Sequence, residues 1–215
     1  MTPQIKLYGI AASRVMRPLW MLEELRANGS ALQGVAYAHD PISYSDPALA
    51  APPYSDLNPN GRVPILVVDG FAIYESLAIT LYLADKFDSP LSLKTAEERG
   101  LGAQWALWAA TELEQSVFDW ALNSYLKPES ERNAEVAAAA LTKLQRPLAA
   151  LEASLKGRTY LVGERFTVVD LNTASVMYRA LTMDLSALPN VDAWMQRCWS
   201  REAAKVPRRA RGEAI

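Results

Sequence analysis

The 215-residue sequence contains only one cysteine, Cys198, and only one histidine, His39. A single cysteine excludes an intramolecular disulfide and a cysteine-rich metal site. The sequence also lacks a P-loop, a G-x-G-x-x-G fingerprint, an HExxH zinc motif and a CxxC redox motif. We therefore expect no resident metal and no catalytic Cys–His pair. Cys198 falls in an apolar helical pattern, which predicts a packed thiol.

The sequence has little excess charge and no long hydrophobic run. The net charge is −2, so nothing indicates a nucleic-acid partner. No apolar run is long enough to span a membrane, and Met1 to Ile5 shows neither the charged nor the apolar region of a signal peptide. Half the residues are hydrophobic and 21% are charged, which is typical of globular domains. We expect a cytoplasmic protein that does not bind membranes.

The most informative stretch runs from Asn58 to Ser76. Residues 58–61 have the composition of a turn, and Pro64 opens the apolar run 64–68. Asp69 and Gly70 are a strong signal for a β-hairpin, whose second strand is residues 71–73. A helix is expected to begin at Ser76 and to continue through an apolar segment to Phe87.

The preceding residues predict a strand–helix–strand unit. Residues 5–8 read as a strand, Arg14 to Asn28 as a helix closed by Gly29, and residues 35–37 as a second strand. Together with the hairpin and the helix from Ser76, this gives the order βαβ–ββα. That is the order of a thioredoxin-like α/β domain.

The rest of the sequence predicts helices only. Helices are expected over residues 96–126, 132–155 and 191–200, so we divide the chain into an α/β domain (1–88), a linker (89–95) and an all-helical domain (96–215). Thr167 and Asp170 have the spacing of a capping box. We interpret Asp170 as a buried structural carboxylate, and the basic C-terminal tail as a solvated end.

Two local features suggest a bound ligand. If the Val63–Pro64 peptide bond were cis, the backbone N–H and C=O of Val63 would turn outward, where another peptide backbone can pair with them. Ser76 stands where a helix begins, and a helix N-terminus favours an anion. The alternative for Ser76 is a plain N-cap, and the residues alone do not exclude it.

The spacing of these residues resembles the glutathione-site signature of cytosolic glutathione S-transferases. Gly61, Arg62, Val63 and Pro64 are followed, eleven residues after the proline, by Glu75 and Ser76. The resemblance implies a cis Pro64, a Val63 that pairs with the cysteinyl backbone of glutathione, and a Glu75–Ser76 pair that holds its γ-glutamyl end.

The contact to the glycyl carboxylate of glutathione has no clear match in the sequence. Arg62, beside the signature proline, is a candidate glutathione-binding residue. His39, Tyr44 and Tyr54 are other donors in the same half of the chain, and the contact stays open between them.

The resemblance to serine-type transferases implies that Ser13 is the catalytic residue. Ser13 lies between the first strand and the first helix, and in those enzymes a serine there donates a hydrogen bond to the glutathione sulfur. Arg14 is a second candidate donor, and Tyr8 is the rival in a tyrosine-type enzyme, although it lies within the strand pattern. Without the resemblance, Ser13 reads as a simple N-cap.

The resemblance further implies a homodimer that transfers glutathione to hydrophobic electrophiles. The electrophile is expected between the domains, near residues 10–12 and near Trp108 and Glu112 on the long helix. Two alternatives remain: a non-catalytic binding or assembly module with the same fold, and a glutathione-dependent peroxidase or isomerase that uses the same site.

Overall fold

A computed structural model describes residues 2–27 and 29–215, which form two compact units. The first unit runs up to Ser92 and takes in Ser200–Ile215, and the second is Leu93–Trp199. The first unit contains four strands and four α-helices: β1 Ile5–Tyr8, α1 Met16–Ala27, β2 Ala38–Asp40, α2 Tyr54–Leu57, β3 Ile65–Val68, β4 Phe71–Tyr74, α3 Ser76–Lys86 and α9 Glu202–Ala210. The second contains five α-helices: α4 Ala96–Trp108, α5 Glu114–Ala121, α6 Ala134–Leu155, α7 Val168–Val176 and α8 Pro189–Trp199.

The strands of the first unit form one mixed sheet in the order β2-β1-β3-β4. β1 pairs in parallel with β2 and antiparallel with β3, and β3 pairs antiparallel with β4. The parallel pair requires a crossover, and α1 supplies it. The predicted βαβ–ββα order is therefore confirmed. The two central strands carry the apolar core of the sheet, with Leu7, Ile65 and Leu66 fully buried.

The predicted hairpin is present at Asp69 and Gly70. Their φ angles are +50° and +85°, the positive values that a two-residue type I′ turn requires at both central positions. The Asp69 backbone N–H donates to the Gln4 carbonyl, and the Gln4 N–H donates to an Asp69 carboxylate oxygen, each at 2.9 Å. The turn is thus fixed to the start of β1.

The second strand was predicted at residues 35–37, and this position is wrong. The strand is Ala38–Asp40, paired in parallel register with Lys6–Tyr8. It is an edge strand whose residues are exposed or half-buried, so it has no apolar alternation to mark it in the sequence. The predicted end of the first helix at Asn28 lies outside the described residues.

The C-terminal tail was expected to be a solvated end, and this was wrong. Residues 202–210 form α9, which packs on α1 through buried Ala203, Ala204 and Pro207. Arg201, just before α9, makes a two-pronged ion pair with the buried carboxylate of Glu24, at 2.6 and 2.7 Å. The segment therefore belongs to the first unit, whereas the sequence assigned it to the helical domain.

The second unit is helical throughout, as predicted. The long helix expected over residues 96–126 is one run of α- and π-helical turns, with π-helical turns at Ala109–Leu113 and Leu122–Leu126. The predicted buried thiol is confirmed, because Cys198 is fully buried in α8. Among the described residues, no helix has both the length and the apolar character needed to cross a bilayer.

The capping box at the start of α7 is also confirmed. Asp170 is fully buried and accepts hydrogen bonds from the backbone N–H groups of Leu161 and Thr167, the Thr167 hydroxyl and the Trp194 indole. Burial nevertheless raises the pKa of Asp170 above its usual value, although the four donors oppose the shift. Its role is to join α7, α8 and the preceding loop.

Candidate functional site

The backbone around Gly9 brings two of the predicted site segments together. Gly9 follows β1 with a φ of +117°, and a Cβ there would lie 2.5 Å from a Val15 methyl and 2.7 Å from Cβ of Val63. Only glycine fits, both in conformation and in space. The turn that carries Ser13 and the segment before Pro64 are therefore neighbours in the first unit.

The segment at Val63 has the geometry that the resemblance implied. The Val63–Pro64 peptide bond is cis, and Pro64 leads directly into β3. Upstream, the Asn58 side-chain amide donates to the Arg62 carbonyl at 2.7 Å, which closes the loop before Val63. The side chain of Arg62 is exposed, so it is available to a ligand but is not fixed by burial.

Ser13 lies in a turn just before α1 and is half-buried. Its hydroxyl donates to the Ile10 carbonyl at 2.7 Å and accepts the Val15 backbone N–H at 3.2 Å. The N-cap-like contact anticipated from the sequence is therefore present. The Ile10 carbonyl also accepts the Ser13 backbone N–H at 3.1 Å, so it retains a donor if the hydroxyl rotates away.

Ser76 is the first residue of α3, and its side chain is buried. The guanidinium of Arg17, on α1, donates to Ser76 Oγ at 2.9 Å. Because arginine only donates, Ser76 Oγ is the acceptor, and its own hydrogen is left for a second partner that accepts. The sequence analysis missed this pairing, since nothing in the spacing of Arg17 and Ser76 reveals a contact across 59 positions.

Glu75 has an unusual backbone conformation. Its φ is +69°, in a region that residues other than glycine seldom occupy. The side chain is exposed, directly before the N-terminus of α3. Sparsely populated conformations of this kind concentrate at ligand sites, because the surrounding structure must hold them. Glu75 and Ser76 thus present a carboxylate and a hydroxyl side by side.

Three of the other candidate donors make contacts within the first unit: Tyr8, His39 and Tyr54. The Tyr8 ring packs edge-on against Tyr54 at 5.8 Å between centroids, and the ammonium of Lys6 lies 4.5 Å from its centre. These contacts agree with a structural role for Tyr8. His39 Nε2 lies 2.7 Å from the Gly9 carbonyl, so it must carry the hydrogen. Partial burial raises the pKa of Tyr54, and the negative charge of Asp40 raises it further. The Tyr54 hydroxyl therefore stays protonated and is a donor.

Trp108 and Glu112 lie in the second unit. The Trp108 ring is half-buried and packs edge-on against Trp105 at 4.9 Å. Glu112 lies in the π-helical turn that follows α4 and accepts a 2.7 Å hydrogen bond from Arg146 on α6. Turns of this type occur frequently at functional sites, but the electrophile contacts of Trp108 and Glu112 remain predictions.

No cluster of three or more histidine, cysteine, aspartate or glutamate side chains suited to a metal ion occurs within residues 2–27 and 29–215. The site residues in the first unit instead offer hydroxyls, one carboxylate, backbone amide groups and two helix N-termini. Such a set suits a peptide-like ligand with charged ends.

Comparison with known sequences decides the family. The sequence model of the glutathione S-transferase N-terminal domain matches residues 14–86, and that of the C-terminal domain matches residues 113–202. Glutathione S-transferase 4 of Zea mays is 30% identical over 211 residues, which cover 94% of this chain and 91% of that relative. The chain belongs to the glutathione S-transferase family.

Solved structures of the family share the whole fold. The theta class glutathione S-transferase of Xanthomonas axonopodis pv. citri, solved with glutathione bound, is 32% identical, has a TM-score of 0.83 and covers 99% of both chains. A part of the chain also matches Elongation factor 1-gamma of Prunus avium, at 34% identity over 126 residues, which is 28% of that protein. The N-terminal transferase match includes Val63, Pro64, Glu75 and Ser76 but begins one residue after Ser13.

Proposed function

We propose that this protein is a serine-type glutathione transferase in which the Ser13 hydroxyl stabilises the glutathione thiolate. One observation carries the proposal: a half-buried serine hydroxyl stands before the N-terminus of α1, in a turn that Gly9 brings next to the segment of Val63, on the glutathione-binding fold of the family. The thiolate is the nucleophile, so no separate base is required.

The energies involved are within reach of these groups. A free thiol with a pKa of about 8.5 must shift by about two units to ionise near neutral pH, which corresponds to roughly 2.7 kcal/mol. A hydrogen bond to a charged acceptor contributes about 1.5–3 kcal/mol. The N-terminus of α1 adds roughly 0.3–1 kcal/mol for a nearby anion.

To donate a hydrogen bond to the glutathione sulfur, the Ser13 hydroxyl must give up its present acceptor. It donates to the Ile10 carbonyl, and a thiolate would replace that neutral acceptor with a charged one. Charge-assisted hydrogen bonds are roughly twice as strong as neutral ones, and the Ile10 carbonyl keeps the Ser13 backbone N–H. The exchange therefore favours the thiolate.

The remaining residues hold glutathione by its backbone and its γ-glutamyl end. Val63, before the cis Pro64, offers its main-chain groups to the cysteinyl residue. The Ser76 hydroxyl, whose oxygen already accepts from Arg17, donates to the α-carboxylate at the positive end of α3. Glu75 pairs with the adjacent ammonium group, and Arg62 is the candidate partner of the glycyl carboxylate.

The second substrate is expected to be a small hydrophobic electrophile. Trp108 offers an aromatic face and Glu112 a carboxylate fixed by Arg146, and we assign both to this substrate. A homodimer and a cytoplasmic location remain predictions from the resemblance.

The deciding experiment is a pH titration of the ultraviolet absorbance of the thiolate in the glutathione complex. Wild type and Ser13→Ala are compared, with Ser43→Ala, which changes another half-buried serine of the same unit, as control. We expect a thiol pKa well below 8.5 in wild type and in the control, and a return towards 8.5 in Ser13→Ala. A low pKa that persists in Ser13→Ala would transfer the role to Arg14 or Tyr8.

A non-catalytic module is the second candidate, and the match to Elongation factor 1-gamma favours it. The same titration separates the two functions, because a module need not bind glutathione at all. Absence of glutathione binding by calorimetry at millimolar concentration would favour the module. Binding with a depressed thiol pKa would favour the enzyme, and peroxide and isomerisable substrates would then be compared with electrophiles.

A further inference from the structure

The loop before Ser13 is held by a residue from the far end of the chain. Arg211 Nη1 donates to the backbone carbonyl of Ala11 at 2.8 Å, across 200 positions. Ala11 is buried and lies two residues before Ser13. The next carbonyl back in the chain, that of Ile10, accepts both the backbone N–H and the hydroxyl of Ser13. Arg211 therefore contacts the same turn that sets the position of the Ser13 hydroxyl.

The position of Arg211 is itself well determined. It caps α9, and Gly212 follows with a φ of +89°. The Glu213 N–H donates to the Arg208 carbonyl and the Gly212 N–H to the Arg209 carbonyl, which is the pattern of a Schellman motif. Glu213 also forms an ion pair with Arg208 at 2.7 Å.

The opposite end of α9 is fixed as well. Arg201 precedes the helix and pairs through two hydrogen bonds with Glu24, near the C-terminal end of α1. Arg211 reaches the loop before the N-terminal end of α1, so α9 runs antiparallel to α1. Over nine residues, a helix spans about 14 Å. α9 is therefore a rigid connection between the Glu24 end of α1 and the loop of residues 10–15, which carries Ser13 and is called the Ser13 loop below.

We propose that Arg211 is a positioning residue that holds the Ser13 hydroxyl in register with the glutathione sulfur. The inference rests on the function proposed above, and Arg211 itself need not touch glutathione. The hydrogen bond to the Ala11 carbonyl restricts the loop, so that the hydroxyl is presented at one distance rather than several. Geometry supplied in this way affects catalysis more than substrate affinity.

The test uses Arg211→Met, which keeps an aliphatic stem but removes the donor, and Arg211→Lys, which keeps a donor and the charge. Arg209→Met is the matched control, because Arg209 is exposed on the same helix and its loss changes the net charge equally. The measurements are hydrogen exchange of the peptide over residues 10–16 in the free protein, the thiol pKa of bound glutathione, and kcat and KM for glutathione.

We expect Arg211→Met to speed amide exchange in residues 10–16 and to raise the pKa of the bound thiol by about half a unit to one unit. At pH values below that pKa, kcat should fall about threefold to tenfold, because less thiolate is present, and KM should change little. Arg211→Lys should recover at least half of the pKa shift, and Arg209→Met should match wild type. A thiol pKa in Arg211→Met equal to that of wild type would overturn the inference, as would an equal shift in Arg209→Met.

The design separates this inference from the function it rests on. If wild type itself binds glutathione without a depressed thiol pKa, the proposed function fails first. The exchange data still decide whether Arg211 restrains the Ser13 loop. Unchanged exchange in Arg211→Met would then overturn the positioning role independently.

Discussion

Arg17 and Ser76 are joined by a 2.9 Å hydrogen bond between the guanidinium and the hydroxyl oxygen, although 59 positions separate them. Both side chains are buried. The bond links α1, which follows the turn that carries Ser13, to the N-terminus of α3, where the γ-glutamyl end of glutathione is proposed to bind. The side chain of Arg17 therefore connects the helix that follows Ser13 with the helix that begins at Ser76.

Removal of the Ser76 hydroxyl should weaken glutathione binding. We expect Ser76→Ala to lose a hydrogen bond to a charged carboxylate, about 1.5–3 kcal/mol or roughly 10- to 150-fold in Kd. Calorimetric Kd values for Ser76→Ala, Arg17→Lys and the double variant test whether Arg17 acts through Ser76. A coupling energy above about 0.5 kcal/mol is expected, whereas strictly additive effects would mean that the two residues act separately.

Replacement of Ser13 should affect turnover more than affinity. The hydroxyl is proposed to act on the ionised sulfur, so we expect Ser13→Ala to lower kcat with an electrophilic substrate by about 10- to 150-fold, from a hydrogen bond of about 1.5–3 kcal/mol. KM for glutathione should change by less than about threefold. Equal losses in kcat and in affinity would contradict the thiolate role, and Ser13→Thr, which keeps a hydroxyl, is the matched control.

Loss of the Glu75 carboxylate should weaken binding first. We expect Glu75→Gln, which keeps the shape but removes the charge, to raise the Kd of glutathione by roughly tenfold. The control is a glutathione analogue without the γ-glutamyl ammonium group. Wild type and Glu75→Gln should bind this analogue with the same Kd. Unchanged affinity for glutathione itself would show that the signature had been misread.

Truncation of Asp170 should destabilise the protein without removing a group that contacts glutathione. Asp170→Ala leaves four buried donors without their acceptor, and we expect a loss of about 3 kcal/mol or more in the free energy of unfolding. Glu131→Ala, an exposed acidic position of the same unit, should change stability by less than about 0.5 kcal/mol. Urea unfolding of the three proteins measures the difference.

Glu98 should make a contribution to stability that depends on pH. The Lys94 backbone N–H, followed by Arg165, lowers the pKa of Glu98 below its usual value. Because the pKa is depressed in the folded state, the stabilisation is present above the unfolded value of about 4.5 and is lost as the pH falls through the folded value. We expect Glu98→Gln to cost up to about 1 kcal/mol at pH 7, and less at pH 3. A difference that grows on acidification would contradict the assignment.

The βαβ–ββα order of the first unit, the Asp69–Gly70 hairpin and the Thr167–Asp170 capping box were predicted correctly because local chemistry decides them. Turn residues with positive φ, helix caps and apolar periodicity act over a few positions, so a sequence displays them directly. The same holds for the spacing between Pro64 and Glu75, which identified the family.

Only the tertiary structure revealed the contacts that join distant segments. These contacts depend on how helices pack, and no local pattern encodes them. They are the hydrogen bonds from Arg17 to Ser76, from Arg211 to Ala11 and from Arg201 to Glu24. The edge strand Ala38–Asp40 was misplaced because its exposed residues carry no apolar signal. The sequence by itself thus determined the elements and the signature residues of this transferase, whereas packing decided which side chains hold the Ser13 loop in place.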